Sequence, residues 1–130
     1  MTFRLAGYAA LFDKVDRGGD IVRRGAFARS LADLRQPLPL LWQHRPDRRI
    51  GAVTLAQEDR RGLRVIAALV PDADEAEAAL RSGAARGLSF GYRVRHSEGS
   101  APRELIDLDL VEISLVSVPM MPGAKVHMAR

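Results

Sequence analysis

The chain has 130 residues, 47 % of them apolar and 28 % charged, with no cysteine and a formal charge of +4. That length suits one domain over residues 1–130 around one core, and is too short for an α/β-hydrolase sheet with its helices. The absence of cysteine excludes disulfides, a thiolate nucleophile and cysteine metal sites. No apolar run approaches the ~20 residues of a membrane helix, and the N-terminus has no secretion signal, so a soluble protein is expected. The basic residues are scattered and aromatics make up only 5 %, which indicates weak attraction to acidic partners and no specific nucleic-acid surface.

In chain order, Thr2 to Leu11 reads as a strand and Asp16-Arg17-Gly18-Gly19-Asp20 as a turn. Phe27, Leu31 and Leu34 recur at helical spacing within Gly25 to Arg35, and Pro37 and Pro39 forbid its continuation. Leu38 to His44, Ile50 to Gln57 and Leu63 to Val70 then read as strands, separated by the charged turns Arg45 to Arg48 and Glu58 to Gly62. A second helix follows Pro71, with Asp72 as its cap, Glu75 three positions on, and Gly83 at its end. Gly87 to Arg95 and Glu104 to Val118 form a hairpin across a polar loop, His96 to Arg103. The expected fold is mainly β with helices: a small closed or partly open β-barrel decorated by two or more short helices.

Gly87-Leu88-Ser89-Phe90-Gly91 matches G-x-S-x-G, the nucleophile elbow of α/β-hydrolases. The next residues, Tyr92-Arg93-Val94, are aromatic and β-branched, so the helix an elbow requires is missing. Strand alternation turns Ser89 away from Leu88, Phe90 and Tyr92. Gly87 and Gly91 suit a kink or the close passage of another backbone, such as a bound peptide. His44 ends its strand on the face of Leu40 and Trp42, where a scaffold can place a catalytic group. Glu112 interrupts an apolar run and needs a partner, either an arginine or a site residue. A simple hairpin sets Ser89 opposite about residue 110, with Glu112 a near or diagonal neighbour. Arg93 and Arg95, on the Ser89 face, suit solvation, an acidic substrate or an oxyanion. His96 and His127 satisfy the hydrolase order serine, acid, histidine, whereas His44 does not. Asp16, Asp20 and Asp47 have no metal-ligand spacing and read as turn residues, so no metal is expected.

Four blocks in order resemble the prohead maturation proteases of tailed bacteriophages and gene transfer agents, a family related in fold to herpesvirus assemblin. They are Gly7-Tyr8-Ala9 with Phe12, Asp16, Gly19-Asp20 and Gly25-Ala26-Phe27; Leu41-Trp42-Gln43-His44 with Ile50-Gly51; Gly87 to Tyr92; and Leu110 to Val116 with Pro119. The resemblance spans nearly the whole chain and implies an assemblin-like fold. It implies Ser89 as nucleophile, His44 as general base and Glu112 as third member, in the family's chain order, with Gly87, Gly91 and Arg93 beside the substrate. Pro119-Met120-Met121-Pro122 stands where the family usually has Pro-Ala-Asn-Pro. The chain then stops, where many relatives carry a C-terminal extension, so a minimal protease core or another route into the capsid is expected.

The activity implied is that of a cofactor-free serine endopeptidase inside the immature capsid, in the cytoplasm of a bacterial host. It would cleave the scaffolding segment of the major capsid protein, and also itself, with a homodimer and no membrane as further expectations. The alternatives are a catalytically silent capsid scaffold or assembly module of the same fold, and a basic β-barrel binding nucleic acid.

Overall fold

The computed structural model describes residues 2–130. Eight strands and two helices follow in the order β1 (Arg4–Leu11), β2 (Asp20–Val22), α1 (Ala28–Ala32), β3 (Pro39–Trp42), β4 (Arg45–Glu58), β5 (Gly62–Leu69), α2 (Asp74–Ser82), β6 (Gly87–Glu98), β7 (Arg103–Val116) and β8 (Val126–Ala129). All strands join one sheet. β7 is its hub: β6 runs antiparallel along one edge, while β2 and β3 lie parallel on the other, at opposite ends. The order continues from β3 through β4, β5 and β1 to β8. No continuous ladder closes β8 onto β6 among the described residues, so the sheet is not a closed barrel.

The core is built by Leu5, Leu40, Leu63, Val65, Leu88 and Ile113, each essentially inaccessible to water. Phe27 plugs one end, edge-on to Phe90 with ring centroids 5.1 Å apart. Burying such side chains is worth about 1.5–3 kcal/mol each. α2 adds Ala76, Ala79 and Leu80, and among the described residues no helix is long and apolar enough to cross a membrane.

Several boundaries differ from those the sequence suggests. The helix expected over 25–35 shrinks to Ala28–Ala32, because Gly25 adopts φ +89° and the Gly25 and Phe27 amides donate to the Glu58 carboxylate at 2.7 and 2.8 Å. Those bonds hold a turn where a helix would have begun. Asp72 does not cap α2: the cap position is Ala73, without a side-chain bond, and acidic residues in the first turn meet the helix dipole instead. Gly83 ends α2 as expected, at φ +83°. Arg45 to Arg48, expected as a turn, belongs to β4, and the turn lies two residues earlier. The short strands β2 and β8 have no clear periodicity and take their form from the neighbours they pair with.

Candidate active site

Ser89 lies in β6 opposite Ser114 of β7, with Gly91 opposite Glu112. No helix follows, so there is no nucleophile elbow. Residue 110, expected opposite Ser89, pairs with Tyr92 instead. The hairpin loop is shorter and further along than expected, since both strands extend toward it, and irregularities at Gly91/Tyr92 and between Val94 and Ser97 shift the pairing. Ser89 points to the face opposite Leu88 and Phe90, as alternation requires, but neighbouring chain covers it to 5 % exposure.

Glu112 reaches that face through a β-bulge. Strict alternation would place residue 112 with Leu108 and Leu110 in the core. Between the pairs Gly91–Glu112 and Tyr92–Leu110, however, β7 carries one extra residue, Val111, which is 44 % exposed. The bulge reverses the parity of the strand: Leu108 and Leu110 face the core before it, Ile113 and Leu115 after it. Glu112 and Ser114 therefore share the face of Ser89 and Gly91.

His44 arrives on the same face by another break in alternation. Trp42 pairs with Arg45, so Gln43 and His44 form a two-residue hairpin turn, with φ +51° and +60°. Positive φ at both central positions is the type I′ pattern, strained for non-glycine residues and concentrated at functional sites. Simple extension of β3 would have put His44 on the core face with Leu40. The turn swings its ring instead into a cleft of about 560 Å³ lined by Leu41, Arg49, Gly91, Arg93 and Glu112 among others.

His44 Nδ1 lies 2.6 Å from Glu112 Oε1. A carboxylate only accepts, so Nδ1 carries the proton and the lone pair of the neutral ring sits on Nε2. The Glu112 bond raises the His44 pKa above the ordinary imidazole value; partial burial opposes the rise and Glu112's charge adds to it. The second carboxylate oxygen accepts a 2.5 Å bond from Ser114 Oγ, and among the described residues no arginine pairs with Glu112. No hydrogen bond joins Ser89 to His44 among the described residues. Such contacts commonly tighten only around a substrate.

The structure does not bring the other candidates to this site. His96 pairs with Glu98, and His127 packs edge-on against Tyr8. Asp16 receives the amides of Gly18 and Asp20, and Asp20 pairs with Arg103. No cluster of three or more His, Asp or Glu is arranged to hold a metal among the described residues. Arg95 is engaged by Asp109, whereas Arg93 lines the cleft. The two glycines make room for the protein's own groups: a Cβ on Gly87 would lie 2.7 Å from Pro119 Cδ, and one on Gly91 would collide with the Glu112 carboxylate. Ser114, Gln43 and Ser117, all bonded around the His44 turn, escape a motif reading. A small polar residue inside the apolar run of β7 is the one signal that could have marked Ser114, since buried hydroxyls need partners.

Ser89, His44 and Glu112, the last two joined by a hydrogen bond, form the candidate site on one face of a mainly β sheet, without the elbow architecture. The chain belongs to the caudovirus prohead serine protease family, whose model matches residues 1–130. It is 33 % identical over 92 residues to the prohead protease of Enterobacteria phage HK97, covering 68 % of this chain and 41 % of that protein. It is also 33 % identical over 100 residues to the capsid polyprotein of Pseudomonas phage PAJU2, covering 68 % of this chain and 15 % of that one. The chain thus spans less than half the length of either relative. Among solved structures, the bacteriophage T4 capsid assembly protease superposes with a TM-score of 0.70 at 13 % identity, over 87 % of this chain and 80 % of that one. The varicella-zoster virus protease gives 0.63 at 19 % identity, over 97 % and 63 %. At such identities the likeness is one of fold, and it is the assemblin-like fold that the sequence blocks implied.

Proposed function

We propose that this chain is a serine endopeptidase that cleaves the scaffolding segment of a major capsid protein during prohead maturation. The observation that carries the reading is the His44–Glu112 bond on the Ser89 face of the sheet, in a chain of this family. Ser89 Oγ attacks the scissile carbonyl carbon while His44 Nε2 accepts its proton; the imidazolium, held by Glu112, then protonates the leaving amine. Water, deprotonated by the same nitrogen, releases the acyl group and restores Ser89. Residues 1–130 act as one protease domain without a cofactor. Gly91 and Arg93, in the cleft, flank the bound peptide, with Gly87 packed on Pro119 at the start of the same strand, and Arg93 and Arg49 favour an acidic or polar segment.

Confinement with many substrate copies in an immature capsid, within the bacterial cytoplasm, compensates for weak intrinsic binding. The curled sheet acts as a barrel whose gap is stapled where Leu88 and Val126 donate to Ala124 and Arg86 at 3.0 and 2.8 Å, and a homodimer is the working assembly.

The test is co-expression with a capsid precursor, read by intact mass. The parent chain is expected to shorten the precursor, while Ser89→Ala and His44→Ala fold normally and lower the rate by about 10³-fold or more. Processing by Ser89→Ala at the parent rate overturns the reading. Capsid incorporation with no cleavage by the parent establishes the silent scaffold instead.

A further inference from the structure

Ser114 is fully buried, and its hydroxyl stands between the two groups that hold the imidazole. Oγ donates to Glu112 Oε2 at 2.5 Å and accepts the main-chain N–H of His44 at 3.1 Å. One hydroxyl thereby uses its single proton on the carboxylate and a lone pair on the turn. Glu112 is 8 % exposed and its terminal torsion is intrinsically broad, so a carboxylate anchored only at Oε1 would be free to rotate. The turn has a matching need. Its two positive-φ residues are held down by Gln43 N–H donating to Leu115 O at 2.9 Å, by the reciprocal Gln43–Ser117 bonds at 2.8 and 3.2 Å, and by Ser114. Of these, only Ser114 also touches Glu112.

We infer that Ser114 is a positioning residue for the proposed reaction: its hydroxyl fixes the rotation of the Glu112 carboxylate and the height of the His44 turn together, so that Nε2 faces the Ser89 side of the sheet. The inference rests on the protease reading for its kinetic consequence, but its geometric content stands apart from it. Register supplies the physical basis. Ser114 lies opposite Ser89 on one side and Leu41 of β3 on the other; Ile113 and Leu115 beside it are paired on both sides as well but belong to the core, so Ser114 brings the polar side chain to the junction of the strand of Ser89 and the strand leading into the turn.

Two measurements test it. In precursor cleavage, Ser114→Ala is expected to lower kcat about 10- to 100-fold, as for the loss of one hydrogen bond to a charged group, with KM nearly unchanged. Ser114→Thr, which keeps the hydroxyl, is expected to recover most of the rate, and Ser114→Ala is expected to cost less in a Glu112→Ala background than in the parent. The second measurement is the NMR titration of the His44 ring in Ser89→Ala protein, which needs no substrate and cannot digest itself. The charged groups that line the cleft with that ring are Glu112, Arg49 and Arg93. With Ser114→Ala added, the ring is expected to titrate closer to an ordinary imidazole, since Glu112 no longer holds it continuously.

A titration that stays put or rises, a kcat at the parent value, or losses that multiply with Glu112→Ala overturn the inference. If Ser114→Ala does not fold, Ser114→Cys, similar in size and a weak donor, takes its place under the same criteria. If the parent cleaves nothing, the protease reading fails while the titration still judges Ser114.

Discussion

Asp109 and Glu112 are carboxylates three residues apart on β7, and the protein uses them in opposite ways. Asp109 is 30 % exposed at its side chain and sits between two guanidiniums, with Arg29 donating at 2.6 Å and Arg95 at 3.4 Å. The hydrogen bond from Arg29 holds its carboxyl below the usual range. Both partners carry permanent charge, so the pair has one state at any pH near neutrality. Glu112 is buried, is met by no guanidinium, and faces a histidine and a hydroxyl. Its partner can change charge, and the pair therefore has two states. A fixed-charge partner makes a carboxylate a fastener, whereas a titrating one gives it the two states that the proposed proton transfer needs.

Substitutions at these positions sharpen the contrast. Glu112→Gln removes the charge while nearly preserving shape, and is expected to lower kcat by about 10²- to 10⁴-fold, measured in precursor cleavage with folding checked by melting temperature. The same substitution is expected to move the rise of the pH–rate profile to lower pH.

The sign follows from His44. Its pKa is raised by Glu112, and the base acts in its neutral form, so parent activity is expected to appear as pH climbs through a value above the ordinary ~6.5 and to fall about tenfold per unit below it. For folding the sign is reversed. The protonated His44–Glu112 pair contributes fully below the unfolded imidazole pKa, and that contribution fades as pH rises through the folded value. A parent profile with its acid limb below pH 6 would break the assignment of His44 as the base.

Gly91→Ala is a smaller perturbation aimed at the same carboxylate, since the added methyl must push Glu112 aside. It is expected to reduce kcat about 10-fold or more, with the His44 titration shifted in the same protein. Asp109→Asn is the control from the other half of the comparison. It is expected to leave kcat and the pH profile unchanged and to move the melting temperature by no more than a few degrees, because exposed ion pairs contribute little. A change in the pH profile with Asp109→Asn would mean that the two carboxylates are not separate devices.

Much of this architecture is legible in the chain itself. The proline pair 37/39, Gly83 and the alternating apolar runs mark most elements, and the residues after Ser89, aromatic and β-branched, exclude an elbow. Ser89, His44 and Glu112 also stand out, each as a polar residue at an apolar segment's edge or interior. Glu112 as a near or diagonal neighbour of Ser89 across the hairpin is legible too, but the common face of the three is not, because two breaks in a period-of-two pattern decide it. Val111 looks like one more apolar residue in an apolar strand, and neither Gln43 nor His44 has the glycine or asparagine that advertises a type I′ turn.

By itself the amino-acid sequence determined the mainly β character, the family and the candidate residues for the site. Only the tertiary structure decided that His44 and Glu112 face Ser89's side of the sheet and not the core. A strand's side chains alternate by local geometry, but a one-residue bulge or a two-residue turn reverses their sense, and which one forms is settled by the neighbouring strands that must be paired.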